Sequence, residues 1–416
     1  MDSRSLHEYA RVLLRVGVNL QQGQSLRLRG EPAHREFMLI VAEEAYRAGA
    51  RAVKFDLRDS RHTRIRADNL DARYLECVPG YVEKELQTFL DEEWALLTLD
   101  GEEDPGILDE ADKGRLAAIE RAESRARRFF TQQVIANRLV WCIAPCPTPR
   151  WAEKVLGVPS PDPAKAVGEL WDILSPILRL DQQDPVAAWN DHSARLQARS
   201  RTLNAMRLDR LHVIGPGTDL EIGLMPKSRF TGGSAVSAKG ITFIPNLPTE
   251  EVFTTPDYRR AEGKVRCTRP VKVMGVPVEG LAFEFAGGEV KSFTAGRGRE
   301  AIESFLGIDA EARRMGEVAL VDADSPVYRS GRTFHSILFD ENAACHFALG
   351  GGCPDALEGG EAMSEEELRA AGCNVSLVHT DFMMGSPQVS VFGLTGEGSR
   401  REIIREGAFV ISRVRR

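Results

Sequence analysis

At 416 residues, with 43% hydrophobic and 28% charged side chains, the chain has an ordinary globular composition. It is too long for one core, since single cores stop growing near about 250–300 residues, so two domains are expected. A net charge of −7 argues against nucleic acid as the main partner.

Residues 5–21 open with apolar side chains at helical spacing (Leu6, Tyr9, Ala10, Val12, Leu13, Val16), and Gln22-Gly23 marks a turn. Ser25-Leu26-Arg27-Leu28-Arg29 alternates as a strand. A helix over about 34–48 ends at Gly49, and Ala52-Val53-Lys54-Phe55-Asp56-Leu57 reads as the next strand. Strand, helix and strand at short spacing signal a parallel sheet. Apolar segments at 94–99 and 138–144 fit the same sheet, and the charged stretch 108–129 between them has helical composition. After about residue 205, short apolar segments alternate with Gly, Pro and Asn, the rhythm of antiparallel β structure, with helical patches near 297–307 and 340–349. The expectation is an α/β N-terminal scaffold domain with a parallel sheet, 1–195, and an α+β, β-rich catalytic domain, 196–416.

The start, Met1-Asp2-Ser3-Arg4-Ser5, has no apolar leader, and no run reaches the roughly 18 apolar residues of a membrane span. The seven cysteines are scattered and odd in number, which reads as free thiols in a reducing cytoplasm. Cys142 and Cys146 have no second pair at zinc-site spacing. The one basic block is the tail Arg413-Val414-Arg415-Arg416. Neither GxGxxG nor GxxxxGK[ST] occurs, so a nucleotide function has no support.

Chemistry-bearing residues cluster in the second half. In a strand, His379 and Asp381 project from one face, as half of a metal site or as a structural histidine with an Asp fixing its tautomer. His346 follows Asp340-Glu341-Asn342-Ala343-Ala344-Cys345, which reads as a capped helix start, placing the imidazole one turn in, facing the interior. Glu250 and Glu251 sit among apolar and Pro residues, and Glu317 stands at the mouth of the apolar strand Val318-Ala319-Leu320-Val321. Buried acids need a partner or a metal, and this inventory is that of a two-metal hydrolytic site.

These segments resemble the thermophilic aminopeptidase family, the group of aminopeptidases T and S. The resemblance is carried by NLPTEEVFTTP at 246–256, GEVALV at 316–321, LFDENAACHFALG at 338–350 and HTDFMMGS at 379–386. In the first half it is carried by Tyr9-Ala10-Arg11, Gly17-Val18-Asn19-Leu20-Gln21 and Pro147-Thr148-Pro149-Arg150-Trp151-Ala152. It implies a homodimeric exopeptidase that removes N-terminal residues from short peptides with two divalent cations (zinc, cobalt or magnesium). Carried across, the metal ligands would be Glu251, Glu317, His346, His379 and Asp381, with Glu317 or Glu250 shuttling a proton to the leaving amine.

The chain departs from the family at one place. Seven residues after His346, where the family carries a tyrosine that hydrogen-bonds the tetrahedral intermediate, stands Cys353. A thiol is a shorter and weaker donor. Cys353 is therefore either a tolerated change in a peptidase or the mark of a specialised amide hydrolase or a ligand-binding protein on the same fold. A ring-cleaving dioxygenase with one iron on His346, His379 and Asp381 is a further alternative, against which the extra acids Glu251 and Glu317 argue.

Overall fold

The computed structural model describes residues 1–160 and 162–411, and the basic tail at 413–416 lies outside them. Two units emerge, Met1–Asn190 with Ser234–Pro248, and Asp191–Gly233 with Thr249–Arg416. The sequence reading divides the chain at 195/196. The division falls instead at Asn190/Asp191, inside the helix Pro185–Ala205, and the 234–248 segment groups with the first unit.

The first unit is built on four parallel strands, β1 (Leu26–Gly30), β2 (Val53–Leu57), β3 (Ala95–Asp100) and β4 (Trp141–Pro145), in the order β2-β1-β3-β4. The helix Arg35–Arg47 joins β1 to β2, and Gly49 turns the chain out of it at φ 91°, a left-handed conformation that suits glycine. The charged stretch forms the helix Lys113–Ile135, capped by Asp112 accepting from Arg115 N. Tyr9 is fully buried, stacked on Phe37 at 5.3 Å, and its hydroxyl donates to Pro145 O at 2.8 Å. Packing fixes the ring while the one polar atom finds a partner.

The strands of the second unit start with the hairpin β5 (Leu208–Gly215) and β6 (Thr218–Leu224). The short pair β7 (Ala235–Val236) and β8 (Thr242–Phe243) belongs to the first unit. The second unit then resumes with β9 (Glu251–Thr254), β10 (Pro256–Arg266), the small hairpin β11 (Val271–Val273) and β12 (Val276–Val278), β13 (Ala282–Ala286) and β14 (Glu289–Thr294). After the helix Arg299–Leu306 come β15 (Met315–Val321), β16 (His346–Gly350), β17 (His379–Met383), β18 (Ser390–Thr395), β19 (Arg400–Arg405) and β20 (Ala408–Phe409). They form an antiparallel sheet of eight strands, β14-β13-β10-β6-β5-β18-β19-β20, and an antiparallel sheet of four, β17-β16-β15-β9.

Between the two sheets lies an aromatic core. Phe283 of β13 meets Phe382 edge-on at 5.1 Å and Phe347 at 6.0 Å, and Phe347 stacks on Phe382 at 5.6 Å. Pairs of this kind add about 0.5–1.5 kcal/mol each beyond their buried area.

One expected element is corrected. The 340–349 segment is not a helix: helical structure stops with Ile337–Asp340 and the single turn Glu341–Ala343, and His346 begins strand β16. All five residues of β16 are buried and the strand is paired on both sides. A wholly apolar run shows no period-2 alternation, which is why composition alone could not separate strand from buried helix.

A candidate metal centre on one sheet face

Strand alternation decides which side chains meet. On β9, β15, β16 and β17, the residues Val252, Val318, Phe347 and Phe382 face the aromatic core. Their alternates Glu251, Glu317, His346, His379 and Asp381 therefore share the opposite face. Register aligns them: Glu317 and Asp381 both pair with Ala348, His346 pairs with Ala319, and His379 pairs with Gly350. The small side chains of Ala319 and Ala348 leave room between the larger polar ones.

The five polar side chains form two groups sharing Glu317, namely Glu251, Glu317 and His346, and Glu317, His379 and Asp381. Within each group one ligand atom per residue lies within 4.8 Å of the others. His346 Nε2 is 3.2 Å from Glu251 Oε2 and 3.9 Å from Glu317 Oε1. His379 Nε2 is 3.5 Å from Glu317 Oε2 and 3.3 Å from Asp381 Oδ1. Four of the five are buried, while the His379 side chain is 38% exposed and marks the side open to solvent.

The residues fit a cation on three counts. Both imidazoles direct Nδ1 at a backbone carbonyl, His346 to Ala344 O at 3.1 Å and His379 to Gly351 O at 2.7 Å. A carbonyl only accepts, so Nδ1 carries a proton, and Nε2, which faces the cluster, is the atom each ring would offer a cation on losing its second proton. Glu251 Oε2 is buried and has no hydrogen-bond partner, although His346 Nε2 lies 3.2 Å away. Without a cation, burial and the neighbouring charges act on Glu317, Asp381 and the two imidazoles. Burial, then the charges of Asp381 and Glu251, raise Glu317 to about 7. Burial opposes the charged form of His379, yet the hydrogen bond and charge of Asp381 prevail and lift it to about 10. His346 is likewise raised, against burial, by Glu251, while burial of Asp381 is outweighed by His379 and the acid lies below its ordinary range.

Gly350 shapes the rim. It adopts φ 103°, and a Cβ there would meet Val378 O at 1.9 Å, so only glycine lets the chain turn beside β17 and present the Gly351 carbonyl to His379. Cys353 follows, and its Sγ lies 3.2 Å from Glu317 Oε2. The thiol is held neutral by burial and then by the charge of Glu317.

Glu250 stands apart. It is buried with its carboxylate 3.4 Å from His192 Nε2, and it belongs to neither group. Sequence reasoning missed Glu341. Its carboxyl is raised well above the usual range by burial and then by the charges of Glu251 and Asp381. The signal was present in Asp340-Glu341-Asn342, but the run was read as a helix cap. Asp340 itself accepts from Phe334 N at 2.8 Å. Cys142 and Cys146 are free, buried thiols that join no ligand group among the described residues.

The chain matches the thermophilic metalloprotease (M29) model over residues 2–409. It is 38% identical to aminopeptidase T of Thermus aquaticus over 410 residues, covering 98% of this chain and 99% of that one. It is 37% identical to aminopeptidase PepS of Streptococcus thermophilus over 407 residues, covering 98% of each. The solved structure of wild-type AmpT from Thermus thermophilus superposes with a TM-score of 0.90 at 36% identity, covering 98% of this chain and 99% of that chain. Nothing in these matches supports the iron dioxygenase or the binding-protein alternative. With a family match across nearly its whole length and relatives above one-third identity, the chain belongs to the thermophilic metalloprotease family, M29.

Proposed function

We propose that this metalloaminopeptidase removes N-terminal residues from short peptides at a pair of divalent cations, zinc, cobalt or magnesium. One would be held by Glu251, Glu317 and His346, the other by Glu317, His379 and Asp381. The observation that carries the reading is the pairing of two ligand groups through Glu317 on one sheet face, with a buried Glu251 oxygen left unbonded. Bound there, the cations supply a water nucleophile near neutral pH and polarise the scissile carbonyl.

The chain's own residues do the remaining work. The carbonyls of Ala344 and Gly351 orient the two imidazoles. Of the two acids considered for proton transfer, Glu317 lies inside the cluster and Glu250 faces His192, so Glu317 Oε2 is the atom suited to pass a proton to the leaving amine. Cys353 Sγ, beside that oxygen, takes the place of the tyrosine that the family resemblance implies. A weaker oxyanion donor costs up to about 2.7–4 kcal/mol in the barrier when lost outright, so turnover below that of tyrosine-bearing relatives is expected. The reading extends to a cytoplasmic homodimer. All seven cysteines are free, which suits a reducing compartment.

The test is release of free amino acid from dipeptides and aminoacyl anilides by metal-reconstituted protein, with metal content measured alongside. Turnover at two ions per chain supports the reading. A single ion per chain, or two ions without turnover, would sink it.

A further inference from the structure

Leu377 is 87% exposed, the highest value for a large apolar side chain among the described residues. Single exposed apolar side chains are ordinary on a protein surface. This one differs in how it is held and in where it stands. Its own N–H donates to Asp309 Oδ2 at 2.9 Å, and Ser376 Oγ donates to the same oxygen at 2.8 Å. Ser376 N donates to Asn374 Oδ1 at 2.9 Å. The buried Asn374 amide in turn donates to Glu311 O at 3.0 Å and Arg314 O at 3.1 Å. On the other side, Val378 packs against the core and its carbonyl accepts from Gly351 N at 2.6 Å. The backbone on both sides is thus fixed, and it holds the leucine out in water.

Leu377 precedes His379 by two residues, so their Cα atoms are at most about 7.6 Å apart, at 3.8 Å per step. His379 stands on the open side of the cluster: its side chain is 38% exposed, against 1% for His346. An aminopeptidase holds one residue beyond the bond it cuts and lets the rest of the peptide run out to water. That remainder leaves past His379, and its first residue is the one following the cut. We infer that Leu377 receives the side chain of this second substrate residue, and that the protein favours peptides carrying a large apolar residue there. The inference rests on the aminopeptidase reading and adds the downstream half of the substrate to it. An aromatic side chain laid on Leu377 removes apolar surface from water on both partners, a gain that grows with the area covered. A contact already held in place loses little freedom on binding. Glycine at that position offers no side chain to cover the leucine.

Metal-reconstituted wild type, Leu377→Ser and Leu377→Met would be compared for release of free leucine from L-leucyl-L-phenylalanine and from L-leucylglycine. Metal content and particle mass by light scattering would be measured alongside. Wild type is expected to favour the phenylalanine dipeptide by about tenfold or more in kcat/KM, with the difference lying in KM. L377S is expected to lose about tenfold of that preference, and L377M to keep it. Metal content and particle mass are expected to agree among the three proteins. Release by wild type without the preference, or a preference that L377S retains, overturns the inference and leaves the aminopeptidase reading standing. Lost metal or a changed particle mass in L377S overturns it too, since Leu377 would then support the metal centre or join two copies of the chain. No release of leucine from either dipeptide refutes the aminopeptidase reading, and the inference falls with it.

Discussion

Cys353 Sγ donates to Glu317 Oε2 across 3.2 Å, joining the position where the family resemblance implies a tyrosine to the one residue shared by both candidate ligand groups. The thiol is neutral, because burial and then the Glu317 charge hold its proton, so it acts as a donor and not as a thiolate nucleophile. Cys353→Tyr is expected to raise kcat on L-leucine p-nitroanilide about tenfold or more while metal content stays constant. An unchanged or lower kcat would show that the donor at this position is not what limits turnover.

Glu251, Glu317 and His379 make different contributions to the two groups, and metal analysis can separate them. Glu251→Gln and His379→Ala should each remove about one ion per chain, and Glu317→Gln should remove both. Activity should fall at least about hundredfold in all three, in line with the loss of a metal-dependent nucleophile. Full metal retention in Glu317→Gln would contradict its shared position.

Metal binding is expected to release protons. In the cation-free cluster Glu317 is raised to about 7 and His379 to about 10, so the folded protein holds protons that the unfolded chain has lost. Stability of the metal-free protein therefore falls as pH rises, between 4.5 and 7 for Glu317 and between 6.5 and 10 for His379. Cations displace those protons and remove the loss. The melting temperatures of metal-loaded and EDTA-stripped protein should diverge as pH goes from about 6 to 9, and scanning calorimetry would show it. A gap that narrows with pH would refute the assignment of protons to the cluster.

Ala348 lies between Glu317 and Asp381 on the ligand face. Ala348→Leu should fill the space the cations would occupy, lowering metal content with the fold retained. Phe382→Ala, on the other face, should instead cost about 3–5 kcal/mol of stability through the cavity it leaves among Phe283, Phe305 and Phe347. Chemical denaturation and metal analysis of both variants distinguish the two faces.

The first unit was legible because its strands and helices alternate with clear punctuation, such as Gln22-Gly23 and Gly49. His379 and Asp381 were legible because their spacing of two survives in any strand. His346 was misplaced on a helix because its strand is buried on both faces and carries no alternation. Glu251 was preferred to Glu250 on the resemblance alone, and register sets the two apart: Glu251 pairs with Val321 and shares its face with Glu317, whereas Glu250 precedes the strand and turns to His192.

The five proposed ligands hang from four neighbouring strands. Spacing across the centre is thus set by the hydrogen-bond ladder, about 4.8 Å per strand, and not by side-chain choice. A backbone gauge of this kind cannot be stretched a little. A strand that slips by one residue turns its ligand into the aromatic core and a phenylalanine or valine toward solvent. Heating should therefore leave the coordination geometry constant until the sheet gives way, and then release both ions in a single step.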